Sequence, residues 1–65
     1  MTPLNHGDIL LSRSEDDYWM LMRRDIIHED EVPHDVWWMH SFSRGREFWC
    51  WESLLEDEHY YVRVA

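Results

Sequence analysis

Two aromatic runs, Val36 to Phe42 and Arg46 to Glu52, joined through Ser43, Arg44 and Gly45, constrain this chain more than any other feature. Aromatic and β-branched residues fit a pleated, half-buried surface, and a glycine in a short polar link between two such runs signals a tight β-hairpin with Arg44 and Gly45 at the turn. The turn then sets the register. Ser43 pairs with Arg46, which places Phe42 opposite Glu47, His40 opposite Trp49 and Trp38 opposite Trp51 on one face. Met39 opposite Cys50, Ser41 beside Phe48, and Trp37 near Glu52 occupy the other. A one-residue slip would exchange the faces.

Met39, Cys50 and Phe48 are medium-sized and adaptable, so their face is expected to form the core, with Leu11, Leu21, Leu54, Val62 and Val64. The opposite face then shows Trp38, Trp49, Trp51, His40 and Phe42, more aromatic area than a 65-residue domain hides beyond its core. Trp and Arg are enriched at interface hot spots, and Arg44 and Arg46 stand at the hairpin tip. These seven residues are the expected partner-binding set. The competing reading is that the rings only stack on one another and on loops, stabilising the hairpin by ~0.2–1 kcal/mol per cross-strand pair.

Elsewhere, Asp8 to Arg13 reads as a short strand after a turn at Gly7, and Ser14 to Asp17 as an acidic loop. Tyr18 to Ile27 is long enough for a strand that bends through a barrel, although Met, Leu and Arg would also suit a helix. His28 to Asp35 reads as a polar loop in which Pro33 stops any ladder. Ser53 to Asp57 holds one short helical or 3₁₀ turn, and Tyr60 to Val64 alternates as a closing strand. The expectation is one all-β domain over residues 1–65, its core about 7–64, with five strands and one short turn before the last.

That order, with Gly7-Asp8-Ile9-Leu10, the hairpin through Arg44-Gly45, and Trp51-Glu52-Ser53-Leu54-Leu55-Glu56, resembles small SH3-like β-barrels of the Tudor and KOW sort. Those barrels also open on a Gly-Asp strand and place a 3₁₀ turn before the fifth strand. The resemblance covers roughly Gly7 to Val64 and extends to small single-barrel proteins of bacteriophages, which implies a viral setting. The acidic insert His28 to Asp35 departs from the pattern.

Charge narrows the partners. Fourteen acids face six basic residues, all Arg, for a net charge of −8. Such a chain is repelled by nucleic-acid backbone and anionic membrane, and protein partners with basic surfaces are favoured. The N-terminal segment to Leu11 lacks a basic start and a long apolar stretch, so neither a signal peptide nor a membrane span is expected, and the setting implied is a virion or the host cytoplasm.

Catalytic chemistry finds little footing. The spacing of His6, His28, His34, His40 and His59 fits no strong zinc pattern, and Cys50 alone makes no internal disulfide. A nucleophile at Cys50, Ser41 or Ser53 would need a His oriented by a third group. No enzyme activity, cofactor or metal is expected.

The reading favoured is a non-enzymatic interaction module, a phage accessory or minor structural protein that docks on a larger assembly through the aromatic face. Three rivals stand beside it. Glu15-Asp16-Asp17, Glu29-Asp30-Glu31 and Glu56-Asp57-Glu58 could imitate phosphates and inhibit a polymerase, nuclease or repair enzyme. A Tudor-like reader would use Trp38, Trp49 and Phe42 as a cage for methylated Lys or Arg. A groove for proline-rich peptides has no diagnostic residue here.

Overall fold

The structure, a computed structural model, describes residues 3–65. The chain runs through β1 (Ile9–Ser12), β2 (Asp17–Glu29), β3 (Val32–Ser41), β4 (Arg46–Trp51), a single turn of helix α1 (Glu52–Leu55) and β5 (Tyr61–Arg63). Every pairing is antiparallel, and the strands form one sheet in the order β4-β3-β2-β1-β5. The fold is therefore all-β, with five strands and a short turn before the last. That turn is α-helical rather than 3₁₀. No ladder joins β4 to β5, so the sheet is open, with two edges unpaired among the described residues, and does not close into a full barrel.

The stretch His28 to Asp35 is not a loop. It is the far end of a long β2–β3 hairpin whose last rung is Glu29 opposite Val32. Only Asp30 and Glu31 turn, both in the left-handed region at φ 51° and 65°, the backbone of a type I′ turn whose twist matches that of the strands. Pro33 is tolerated because His28 and Pro33 follow the closing rung as a non-hydrogen-bonded pair. Its other side faces no strand, since β4 reaches only to the rung between Val36 and Trp51.

Within β2 the pairing steps from Leu21 opposite Met39 to Arg23 opposite Trp38, leaving Met22 as a bulge. The extra residue bends the strand and inverts its alternation. Trp19 and Leu21 therefore face the core before the bulge, whereas Arg24 stands beside Trp37 after it.

The aromatic hairpin is displaced by two residues from the expected register. Ser41 pairs with Arg46, Met39 with Phe48, Trp38 with Trp49 and Trp37 with Cys50. Phe42 to Gly45 form a four-residue loop, closed by Gly45 N–H donating to the Ser41 carbonyl at 2.9 Å, with Gly45 at φ 65°. A two-residue shift preserves the faces, because side chains alternate with period two. The β1–β2 loop repeats the device: Asp16 N–H donates to the Ser12 carbonyl at 2.9 Å, and Asp16 takes φ 53°.

The core cluster is Leu10, Trp19, Leu21, Trp37, Met39, Leu55 and Tyr61, with Leu4, Phe48 and Cys50 against it. Four expected members, Leu11, Leu54, Val62 and Val64, are outside it. Leu11 pairs with Tyr18 and Val62 on the opposite face, one residue out of phase with buried Leu10, and Leu55 and Tyr61 take the places expected for Leu54 and Val62. Among the described residues no helix is long and apolar enough to cross a membrane. The expectation about the N-terminal segment falls partly on Met1 and Thr2, outside the described residues.

Candidate docking face

Asp17 links the start of β2 to the end of β3 and the loop that follows it. Sequence suggests a solvated loop acid here, yet Asp17 begins β2 and is buried. Its carboxylate accepts from Trp19 Nε1 at 2.8 Å, Ser41 Oγ at 2.5 Å and the Ser43 backbone N–H at 3.1 Å, while Ser41 Oγ accepts from Arg44 N–H. Burial alone would raise its pKa, but the donors from Ser41, Trp19 and Ser43 outweigh this and lower it from 3.8 to about 2. The carboxylate thus ties the start of β2 to the β3–β4 loop. The β2–β3 and β3–β4 ladders orient the aromatic strands, and this junction holds the loop between β3 and β4.

On the side away from the core stand Trp38 and His40 of β3 with Glu47, Trp49 and Trp51 of β4, paired as Trp38 with Trp49, His40 with Glu47 and Val36 with Trp51. Val36 has no exposed surface although it lies outside the core cluster, so the outer aromatics cover a small apolar centre of their own. Trp49 and Trp51 lie 6.3 Å apart at 60°, and His34 meets Trp51 edge to face at 4.1 Å. The Trp38 Nε1–H donates to Asp25 Oδ2 at 3.0 Å, and the Arg23 guanidinium lies 5.1 Å from the centre of the Trp38 ring. The hydrogen bond from Trp38 is the main reason that the Asp25 carboxyl is held below its ordinary pKa. Trp49 remains 37% exposed, and the face continues through Met20 and Tyr18 to Leu11 and Val62. Trp38 is anchored at its indole nitrogen and faced by Arg23, whereas no cation of the described residues lies over Trp49 or Trp51. An indole has only two side-chain torsions to immobilise when a partner covers it.

Of the seven expected partner residues, Trp38, His40, Trp49 and Trp51 share this face, and Phe42 adjoins it through an edge contact with His40 at 5.6 Å. Arg44 and Arg46 do not join it. Both place their guanidinium groups over Phe48 on the core side, at 5.7 and 6.0 Å, and Arg44 also pairs with Glu15 at 2.6 Å. Arg23, Asp25 and His34 also belong to the face, outside the set expected from sequence. No local signal marks Arg23, whose placement depends on the bulge at Met22, and Asp25 and His34 reach the face only through the long β2–β3 hairpin.

The acids scatter. Glu15 holds Arg44, Asp16 forms the turn and Asp17 is buried, whereas Glu29, Asp30 and Glu31 sit at the opposite end of β2. Glu56, Asp57 and Glu58 connect α1 to β5, where Asp57 shapes the turn by accepting from His59 N–H at its side chain and from Tyr60 and Tyr61 N–H at its carbonyl. On the core side, Glu52 binds both Trp37 Nε1 at 2.8 Å and Arg24 at 3.0 Å.

Cys50 is half-buried, its Sγ 3.9 Å from the Tyr61 hydroxyl, and burial pushes its thiol pKa up, away from the reactive thiolate. Among the described residues no three His, Cys, Asp or Glu side chains converge as metal ligands would. A groove between α1, β1 and β5 is lined by Leu4, Leu10, Leu55 and Tyr61 and lies away from the outer tryptophans. The cations at its rim are engaged, Arg13 with the Glu58 carbonyl and Arg63 with Asp8 and the Pro3 carbonyl. Compared with family models, curated proteins and solved structures, the sequence finds no match.

Proposed function

We propose that this chain is a non-enzymatic protein-interaction module of the SH3-like barrel type, docking on a larger assembly through its outer aromatic face. The observation that carries the reading is the rung between Trp38 and Trp49, flanked by Trp51: three indoles side by side on a sheet face not used for the core. Covering such a patch removes apolar area at about 25 cal/mol per Å², and aromatic anchors concentrate that gain in few residues. A partner that binds only the folded form also stabilises a small domain by mass action. The phage setting, a virion-associated accessory or minor structural protein, belongs to the same proposal and follows from the resemblance to small phage barrels.

The acidic-mimic alternative gains no support from the placement of its groups. Asp17 is withdrawn into the interior, Glu15 is neutralised by Arg44, and the clusters occupy opposite ends of β2. The two readings separate in a pull-down from native lysate or particles. The natural chain is compared with Trp38→Ala/Trp49→Ala, after circular dichroism shows that the variant folds. An assembly protein recovered with the natural chain and lost with the variant supports docking through the face. A nucleic-acid enzyme that survives the tryptophan change and washes off in salt would replace this reading with the electrostatic one.

A further inference from the structure

Strand β4 is a free edge, paired on one side to β3 and on the other to nothing among the described residues. Folded proteins guard such edges with short strands, proline, or charged residues along the strand. The opposite edge, β5, is three residues long and includes Arg63. By contrast β4 has six residues, and from Phe48 to Trp51 it has no charge and no proline.

A second pattern runs through the aromatic rings. Trp38 carries Arg23, Trp37 carries Arg24, and Phe48 carries both Arg44 and Arg46, while Trp19 is buried between Phe48 and Tyr61. Trp49 and Trp51 alone among the five tryptophans are neither buried nor faced by a cation of this chain. They are also the tryptophans of the open edge.

Resting on the docking reading above, we propose that β4 accepts an extended, basic segment of a partner protein as a sixth strand. Its main chain would satisfy the outward N–H and C=O groups of β4. Its alternate Lys or Arg side chains would lie beside Glu47, Trp49 and Trp51, and the residues between them, apolar, beside Phe48 and Cys50. The alternation is dictated by the strand itself, which sends Trp49 and Trp51 to one face and Phe48 and Cys50 to the other. Charge agrees: at a net −8 this chain attracts a cationic segment and repels a second copy of itself.

The test uses the full chain and an end-capped octapeptide of alternating Arg and Val, read by amide chemical shifts and hydrogen exchange across β4. Two control peptides are N-methylated at alternate residues, one at every Arg and one at every Val, so charge and side chains are kept while one peptide edge loses its donors. The proposal expects binding with slowed exchange in β4, a loss of at least tenfold for one methylated peptide, and a loss of at least tenfold when Glu replaces Arg. Equal binding of the parent and both methylated peptides would overturn strand addition while leaving face docking intact. Equal binding of the Glu peptide would overturn the cationic partner. Absence of binding, or β4 protection that grows with protein concentration without peptide, would overturn the proposal, the latter assigning the edge to a second copy.

Discussion

Replacing Asp17 by Asn tests the junction that ties the loop of the aromatic hairpin to β2. The carboxylate accepts from three donors, Trp19 Nε1, Ser41 Oγ and Ser43 N–H. An amide of the same shape offers one acceptor oxygen and brings an NH₂ group against donors. Hydrogen bonds to a buried charge contribute about 1.5–3 kcal/mol each, and an orphaned donor costs about 1–3 kcal/mol, but the losses are coupled and partly relaxed. The expected destabilisation is therefore about 3 kcal/mol, which lowers the melting temperature by about 12–24 °C in a domain of this size.

The pH dependence supplies an independent reading of the same group. Asp17 ionises at about 2 in the folded chain against 3.8 ordinarily. A folded pKa below the unfolded one means that the contribution, about 2 kcal/mol, is fully present above the unfolded value and is lost as pH falls through the folded one. Urea unfolding followed by tryptophan fluorescence, repeated from pH 6 to pH 2 on both proteins, gives the difference directly. The stability gap between natural chain and variant should be constant above roughly pH 5 and shrink as the natural chain is acidified. A variant within 0.5 kcal/mol of the natural chain at pH 6, or a gap independent of pH, would refute the assignment of Asp17 as the anchor.

Three further substitutions probe the backbone and core. Ser12 Oγ is buried without a hydrogen-bond partner among the described residues, so Ser12→Ala should leave stability unchanged or raise it by up to about 1 kcal/mol in thermal unfolding. Gly45→Ala should cost about 1 kcal/mol through its φ of 65° alone, since among the described residues nothing but its chain neighbours lies within 4 Å of the added methyl; a neutral result would contradict the left-handed loop. Replacing Asp30-Glu31 with Asn-Gly should stabilise by about 0.5–1 kcal/mol, because both positions have positive φ, and destabilisation would argue against the type I′ turn.

What the sequence makes legible is the alternation of side chains; what it conceals is where that alternation is interrupted. Met39, Phe48 and Cys50 are readable as core-facing and Trp38, Trp49 and Trp51 as outward, even though the hairpin loop has four residues rather than two. The parity survives because the displacement is even. Leu11 is misjudged for Leu10 because three apolar residues in a row, Ile9 to Leu11, leave the phase of a short strand open. The long β2–β3 hairpin is hidden by composition: acids and a proline ordinarily mark a loop, and only an extension beyond the reach of β4 lets Pro33 sit in a strand. The buried role of Asp17 is a tertiary fact, since Ser41 and Ser43, which bind it, come from another hairpin. The same holds for Arg44, which sits next to the aromatic run in sequence but turns to Glu15 and Phe48 in space.

The central claim, that the outer indoles are the docking surface, is tested most directly by oxidative footprinting of the chain free and in the complex recovered by pull-down. Trp38, Trp49 and Trp51 should lose reactivity in the complex, while Trp19 and Trp37, already buried, stay unchanged. Outer tryptophans as reactive in the complex as in the free chain, with protection confined to other surfaces, would contradict it.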